Sequence, residues 1–402
     1  ISDKLSKKNV FYVKIIQAIS TNNDIFTPEI NNYLLKYTNH VEFSEKDYNY
    51  NHILDTIDFI NKYYDNYNID KQTLTQINSG MVSVVFKGIM NKKIINNDGE
   101  TEYIKKDIVI KLLRNDIRKY ILESFENIDY LIKILNILPI IKYFNIADVI
   151  EESKNNILLQ TNFINEVNNI RLFKNKNKNI DYIVIPEPYE IFTDYNKNII
   201  VMDYIDGREI NEITNDDKKT YLLQLAKFGI KCLLYDGICH CDIHPGNVLF
   251  INDKNNNELK LGIIDYGIIN TITEEEQLIY YNFFISMFEK NYNELSLIIL
   301  NNFISPKNIF HQLNKNKKKI IINKLEKIAR NAFIENKSFK PKHILKMNKI
   351  IDSYNIKLSK KFSEILLSIS ISDSVSKQLE TNIKYIDAIE MAGEEFIKAI
   401  KI

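Results

Sequence analysis

Apolar positions over residues 1–75 recur at helical spacing. Phe11, Val13, Ile16 and Ile19 make one stripe, and Asp55 to Tyr64 carries a second. Thr27-Pro28-Glu29 reads as a helix start, with Thr as N-cap, Pro at the first helical position and an acid after it. The period then changes. Val82 to Lys87 and Asp107 to Leu113 are short, apolar and β-branched, which predicts strands. Asn97-Asp98-Gly99 is a turn signal between them, so a hairpin with an extended polar loop is expected. Residues 115–178 return to helix, and Ile183-Val184-Ile185 and Ile199-Ile200-Val201-Met202 are again strand-like. From Thr214 helix dominates, interrupted by apolar strands at Val248 to Ile251 and Leu259 to Ile264. Lys315 to Lys319 reads as a solvated helix face. The pattern predicts an α+β chain: a helical extension over 1–75, a small strand-containing lobe over 76–203 and a mainly helical lobe over 204–402.

Composition changes this picture little. The chain of 402 residues is 45% hydrophobic and 26% charged, which suits one or two globular domains. A formal charge of +1 gives no global basic field, so no nucleic-acid partner is expected. Cys232, Cys239 and Cys241 fall within ten residues and form no framework of spaced pairs, which points to a reducing intracellular compartment. The N-terminal residues do not read as a signal peptide. Residues 131–150 come nearest to a membrane span, but Lys133, Pro139 and Lys142 interrupt them, and a buried helix pair is expected instead.

The chemistry gathers at residues 237–267. His240-Cys241-Asp242-Ile243-His244-Pro245-Gly246-Asn247 precedes one apolar strand, and Asp265-Tyr266-Gly267 follows the next. Polar groups on loops at strand ends suit a site. An amide and a carboxylate, Asn247 and Asp265, can hold Mg²⁺ through oxygen ligands shared with a phosphate chain. Asp242 can accept or orient an acceptor hydroxyl. Zinc is not expected, because Cys239, His240 and Cys241 on one short segment cannot close a tetrahedron; the cysteines read as packing residues. A loop of this type needs a strand lysine for the α/β-phosphates. Lys111, at the end of Asp107-Ile108-Val109-Ile110-Lys111, is the candidate, with Glu166 as the helical acid that pairs with it. Gly80, in Asn78-Ser79-Gly80-Met81-Val82-Ser83, opens a small-residue turn whose backbone can approach phosphates. These residues imply ATP and Mg²⁺ and leave protein, sugar and choline kinases open.

Upstream, Val13-Lys14-Ile15-Ile16-Gln17 followed by Ser20-Thr21-Asn22-Asn23-Asp24 and Thr27-Pro28-Glu29 resembles the KxGQ extension of the UbiB family of atypical protein-kinase-like proteins. The resemblance runs from about residue 9 to about residue 300, and His244-Pro245-Gly246-Asn247 is intact within it. It implies a bilobal protein-kinase-like fold, support of ubiquinone and other lipid metabolism, and a mitochondrial or membrane-peripheral location with peripheral membrane contact. The phosphoryl acceptor, whether protein, lipid or small molecule, stays unidentified. By the same resemblance Gly80 and Ser83 belong to the nucleotide loop, and Met202, Asp203 and Tyr204 to the hinge that holds the base. Lys14 and Gln17 belong to a cover over the active site, which in the family meets an E-x-D pair. Here Gln160 and Asn162 stand in that pair, so the ion pair with Lys14 is lost and a looser gate is expected. An aminoglycoside- or choline-type kinase and a nucleotide-binding pseudokinase scaffold are the alternatives.

Overall fold

Alternation builds the first unit. Val84, Phe86, Gly88 and Met90 turn inward from one strand while the residues between them are partly exposed. The computed structural model describes residues 47–95, 99–135, 154, 157–213, 215–253, 258–335, 337 and 340–400. Contacts divide the described chain into two units: residues up to Asn175 together with Pro186–Tyr204, and Lys176–Ile185 together with residues from Ile205 onward.

In the first unit, α1 (Tyr50–Tyr63) precedes β1 (Tyr67–Ser79), β2 (Ser83–Ile95) and β3 (Thr101–Leu113). Helices α2 (Ile117–Leu135) and α3 (Phe163–Lys176) follow. The two-residue strand β4 (Ile183–Val184) pairs in the second unit, and α4 (Glu190–Tyr195) and β5 (Ile199–Asp203) return to the first. The sheet order is β1-β2-β3-β5, with every pairing antiparallel. One face buries Ile53, Ile57 and Ile60 of α1 against Val84, Phe86, Ile108, Ile110 and Val201. The second half of β3, apolar except for Lys111, is buried on both faces.

Two expectations change here. Of residues 1–75, read as helical, the described part is helix only over Tyr50–Tyr63, and residues 67–75 are strand. Bulges between Asp70 and Thr75 and between Gln76 and Asn78 shift the period of β1, so its alternation does not show in hydropathy. The polar stretch between the two short apolar runs is also strand rather than loop: β2 and β3 pair from Ser83↔Leu113 out to Ile95↔Thr101. That outer ribbon has no fully buried face, so apolar residues such as Ile95 and Tyr103 stand exposed among lysines and no alternation marks it. Lys14, Gln17 and the helix start at Thr27 lie outside the described residues.

In the second unit, α5 (Asn215–Lys231) runs into a π-helical turn at Cys232–Asp236. Gly237 ends it at φ +69°, where a Cβ would sit 2.7 Å from the Ile272 carbonyl oxygen, so a side chain is excluded on both counts. Four strands follow: β6 (Ile238–His240), β7 (Val248–Asp253), β8 (Glu258–Ile263) and β9 (Ile269–Thr271). Helices α6 (Glu274–Phe288) and α7 (Tyr292–Asn302), strand β10 (Ile304–Ser305), helices α8 (Lys307–Gln312), α9 (Lys315–Arg330) and α10 (Pro341–Asp352), strand β11 (Lys357–Leu358) and helices α11 (Lys360–Leu379) and α12 (Tyr385–Ile400) complete it. Phe303 and Phe362 stack at 4.1 Å in a core shared with Tyr280 and Phe283. Among the described residues no helix is long and apolar enough to cross a membrane.

Candidate functional site

In the first unit the candidate residues collect at one end of the sheet. Lys111 lies opposite Val85 on β2 and Ile200 on β5. Only 7% of it is exposed, and its Nζ donates to Glu166 Oε1 at 2.6 Å. Glu166, 3% exposed, sits in the first turn of α3. A buried ammonium is tolerated only when a partner offsets its lost hydration, and this carboxylate supplies one. Asn162 prepares the helix: its Oδ1 accepts the Asn165 N–H at 3.2 Å, the geometry of an N-cap. Thr161, buried beside it, accepts from Arg118 at both its hydroxyl (3.0 Å) and its carbonyl (2.8 Å). Gln160 lies in the helical segment just before.

The β1–β2 connection is tight. Gly80 N–H donates to the Ser83 carbonyl at 2.9 Å, leaving Met81 and Val82 at the tip. Ser83 pairs with Leu113, two positions beyond Lys111, so this turn lies at the lysine's end of the sheet. Arg114, the next residue, passes beneath it. Its guanidinium reaches the Gly80 carbonyl at 3.0 Å, Ser79 Oγ at 2.7 Å and Asp47 Oδ2 at 3.2 Å. Sequence reasoning missed Arg114, because a lone arginine after a strand reads as a surface charge; the signal was its place directly behind a strand buried on both faces.

The hinge candidates close the sheet's other side. Met202 is buried opposite Val109. The Asp203 N–H donates to the Glu187 carbonyl (3.0 Å) and the Tyr204 N–H to the Asp107 carbonyl (2.9 Å), so both amides are engaged within the unit. The Asp203 carboxylate accepts the Tyr189 hydroxyl at 2.5 Å, and burial, then this acceptor, pushes the Tyr189 phenol far above its ordinary range. Lys87 Nζ lies 3.8 Å from the centre of the Tyr204 ring.

In the second unit, two strand pairs bring two loops together. Residues 241–247 join β6 to β7, and residues 264–268 join β8 to β9. β6 pairs with β9, from Ile238↔Thr271 to His240↔Ile269, and β7 pairs with β8, ending at Val248↔Ile263. The ladders continue into both loops through Cys241 N–H to the Ile268 carbonyl (3.1 Å) and Ile264 N–H to the Asn247 carbonyl (3.2 Å). Asn247 Nδ2 donates to the Asp242 carbonyl at 3.0 Å, and Asp265 Oδ1 accepts the Gly267 N–H at 3.0 Å. Asp242 and Asn247 are buried and Asp265 is half-buried. His240 bridges the loops: its Nδ1 accepts the Asp242 N–H at 3.2 Å, so its Nε2 carries the proton and donates to the Asp265 carbonyl at 2.6 Å. Burial pulls this imidazole below the ordinary histidine range, so it braces the loop as a neutral ring. All three cysteines are buried.

Among the described residues, no three His, Cys, Asp or Glu side chains converge on one point as a metal site. An ion held by Asn247 and Asp265 would need phosphate oxygens or water to complete its shell, which is how Mg²⁺ binds beside nucleotides. The donor set therefore fits metal bound together with a nucleotide.

Residues 70–298, more than half of the chain, match the model of the ABC1 atypical kinase-like domain. A Glaesserella parasuis protein named "Probable protein kinase UbiB" is 24% identical over 299 residues, covering 71% of this chain and 51% of that relative. A mitochondrial ABC1 family protein of Schizosaccharomyces pombe is 23% identical over 301 residues, covering 68% of this chain and 43% of that relative. The chain thus spans about half the length of the curated relatives it matches. A solved Mycobacterium tuberculosis structure, described as a complex with erythromycin, aligns at 16% identity with a TM-score of 0.48, over 81% of this chain and 77% of that one. On the domain match and these relatives, the chain belongs to the ABC1/UbiB family of atypical kinase-like proteins.

Proposed function

We propose that the chain binds Mg-ATP and acts as an ATPase or phosphotransferase. The observation that carries this reading is the buried Lys111–Glu166 pair at 2.6 Å. Apolar side chains of similar volume would stabilise the unit as well or better. A lysine kept there, aimed by an acid on a helix, suits a charge that must be presented to phosphates. Lys111 would hold the α/β-phosphates and Glu166 would fix its direction. Asn247 and Asp265 would hold Mg²⁺, which when bound neutralises charge on the phosphate oxygens. Asp242 would accept or orient the acceptor hydroxyl, on a loop that His240 keeps in place. Gly80, Ser83, Met202, Asp203 and Tyr204 would surround the nucleotide. Because the Asp203 and Tyr204 N–H groups are engaged, contact there would come from carbonyls and side chains.

For the acceptor we favour a small molecule of lipid or quinone metabolism, and for the location a mitochondrial or membrane-peripheral one. The resemblance to the UbiB family carries the first, and the mitochondrial relative supports the second. The test has two steps. Mg-ATP at 100 times its Kd should stabilise the chain by about 2.7 kcal/mol in thermal unfolding, and ATP without Mg²⁺ by much less. The fate of labelled γ-phosphate then separates hydrolysis from transfer. No stabilisation by either nucleotide form would sink the reading.

A further inference from the structure

Arg114 is 4% exposed, yet it carries a charge. Burial lowers its pKa, and Asp47 opposes that shift. One residue here ties two distant segments to the end of β3. Its main-chain N–H donates to the Val82 carbonyl at 2.9 Å, and its side chain reaches Ser79, Gly80 and Asp47. The next N–H, of Asn115, donates to the Asp47 carbonyl at 2.7 Å. The planar fork of a guanidinium can address several acceptors in fixed directions at once; a lysine ammonium on the same stem cannot. Such a clamp has a geometric consequence. Lys111 and Arg114 lie three residues apart, so holding the Ser79–Ser83 turn to Arg114 sets the distance between that turn and the lysine.

We propose that Arg114 is a positioning residue for nucleotide phosphates: it holds the Ser79–Ser83 turn at a fixed place relative to Lys111, and Asp47 holds its guanidinium in that direction. This rests on the proposed reading of the turn and Lys111 as the phosphate-contacting pair. The role is confined to phosphates, because the clamp touches neither β5 nor the residues proposed to face the base.

The experiment is calorimetric titration of the full chain with the Mg²⁺ complex of β,γ-imido-ATP and, separately, with adenosine. Wild type should bind the triphosphate more tightly than adenosine. Arg114→Lys should weaken triphosphate binding about tenfold, the scale of one charge-assisted hydrogen bond, and leave adenosine within about twofold. Asp47→Asn, at a partly exposed position, should weaken triphosphate binding about threefold in the same selective way. Should Arg114→Lys fail to fold, Asp47→Asn carries the test alone. Unchanged triphosphate binding in the folded variants overturns the proposal and leaves the phosphate reading standing. Parallel weakening of both ligands also overturns it, by making Arg114 a general support of the fold. Wild type that binds triphosphate no better than adenosine overturns the phosphate reading itself, and this proposal with it.

Discussion

The two buried cations of the first unit, Lys111 and Arg114, face carboxylates, whereas the loops of the second unit are held through main-chain groups. Lys111 meets Glu166, and Arg114 meets Asp47, each across dozens of residues of sequence. In the second unit, the Asp242 carbonyl takes the Asn247 amide, the Asp265 carbonyl takes the His240 Nε2–H, and ladder bonds run into both loops. The difference follows from what each group would present. A lysine inside a sheet must have an anion nearby to remain charged there. Asp242 and Asp265 are fixed through their own backbone, the carbonyls of both and the N–H of Asp242 each being hydrogen-bonded.

This contrast predicts opposite responses to mutation. Lys111→Met leaves the Glu166 carboxylate buried without its cation and should cost about 3–5 kcal/mol in denaturant unfolding. Lys111→Met with Glu166→Leu should recover most of that loss while nucleotide turnover stays absent. If the double variant is as unstable as the single one, the pair is there for the fold and not for a ligand. In the second unit, Asp265→Asn keeps an oxygen that can accept the Gly267 N–H and should change stability by less than about 1 kcal/mol. Mg²⁺-dependent turnover should nevertheless fall by about 10²-fold or more. A large stability loss in Asp265→Asn would erase the contrast between the units.

His240 allows a finer test. Replacing it with Gln removes a buried ring that bridges two loops, and should cost about 1–3 kcal/mol. The pH dependence has a definite sign. Because burial lowers the folded pKa, the unfolded chain takes the proton first as pH falls. The contribution of His240 is therefore intact above about pH 6.5, the ordinary histidine value, and is lost as pH falls through the lowered folded value. Melting temperature should drop more steeply below that pH in wild type than in His240→Gln. Superimposable acid limbs would show that His240 is not held neutral by the fold.

How much of this was legible in sequence depended on whether a residue's role left a periodic or a spaced trace. Lys111 could be found because an apolar, β-branched run ends on it, and the loop from His240 to Asn247 because its polar residues stand at fixed intervals just before an apolar strand. Glu166 has no pattern of its own and followed only from the expectation that a helical acid pairs with Lys111. β1 was illegible because its bulges break the alternation that marks a strand. The outer β2–β3 ribbon was illegible for the opposite reason: with no fully buried face it has no hydropathy signal to break. Arg114 and the Tyr189–Asp203 bond are partnerships between distant segments, which only the fold brings together.

The smallest expected effect bears on Asn162, where the regulatory and structural readings diverge. From sequence, its amide stands in place of an acid that would meet Lys14. In the structure, that same amide oxygen caps the helix carrying Glu166. Asn162→Ala removes the cap and should cost about 1 kcal/mol, and it should lower turnover modestly by loosening the first turn of α3. Asn162→Asp keeps the cap, since Asp and Asn are nearly equivalent there, and restores the negative charge. Stability of the Asp variant should therefore stay within about 0.5 kcal/mol of wild type. Its turnover discriminates between the two readings. A gate that contacts Lys14 at this position would tighten, and basal ATP hydrolysis would fall in Asn162→Asp with stability unchanged. Hydrolysis equal to wild type in the Asp variant, with a loss in the Ala variant, would leave Asn162 as a helix cap that positions Glu166 and nothing more.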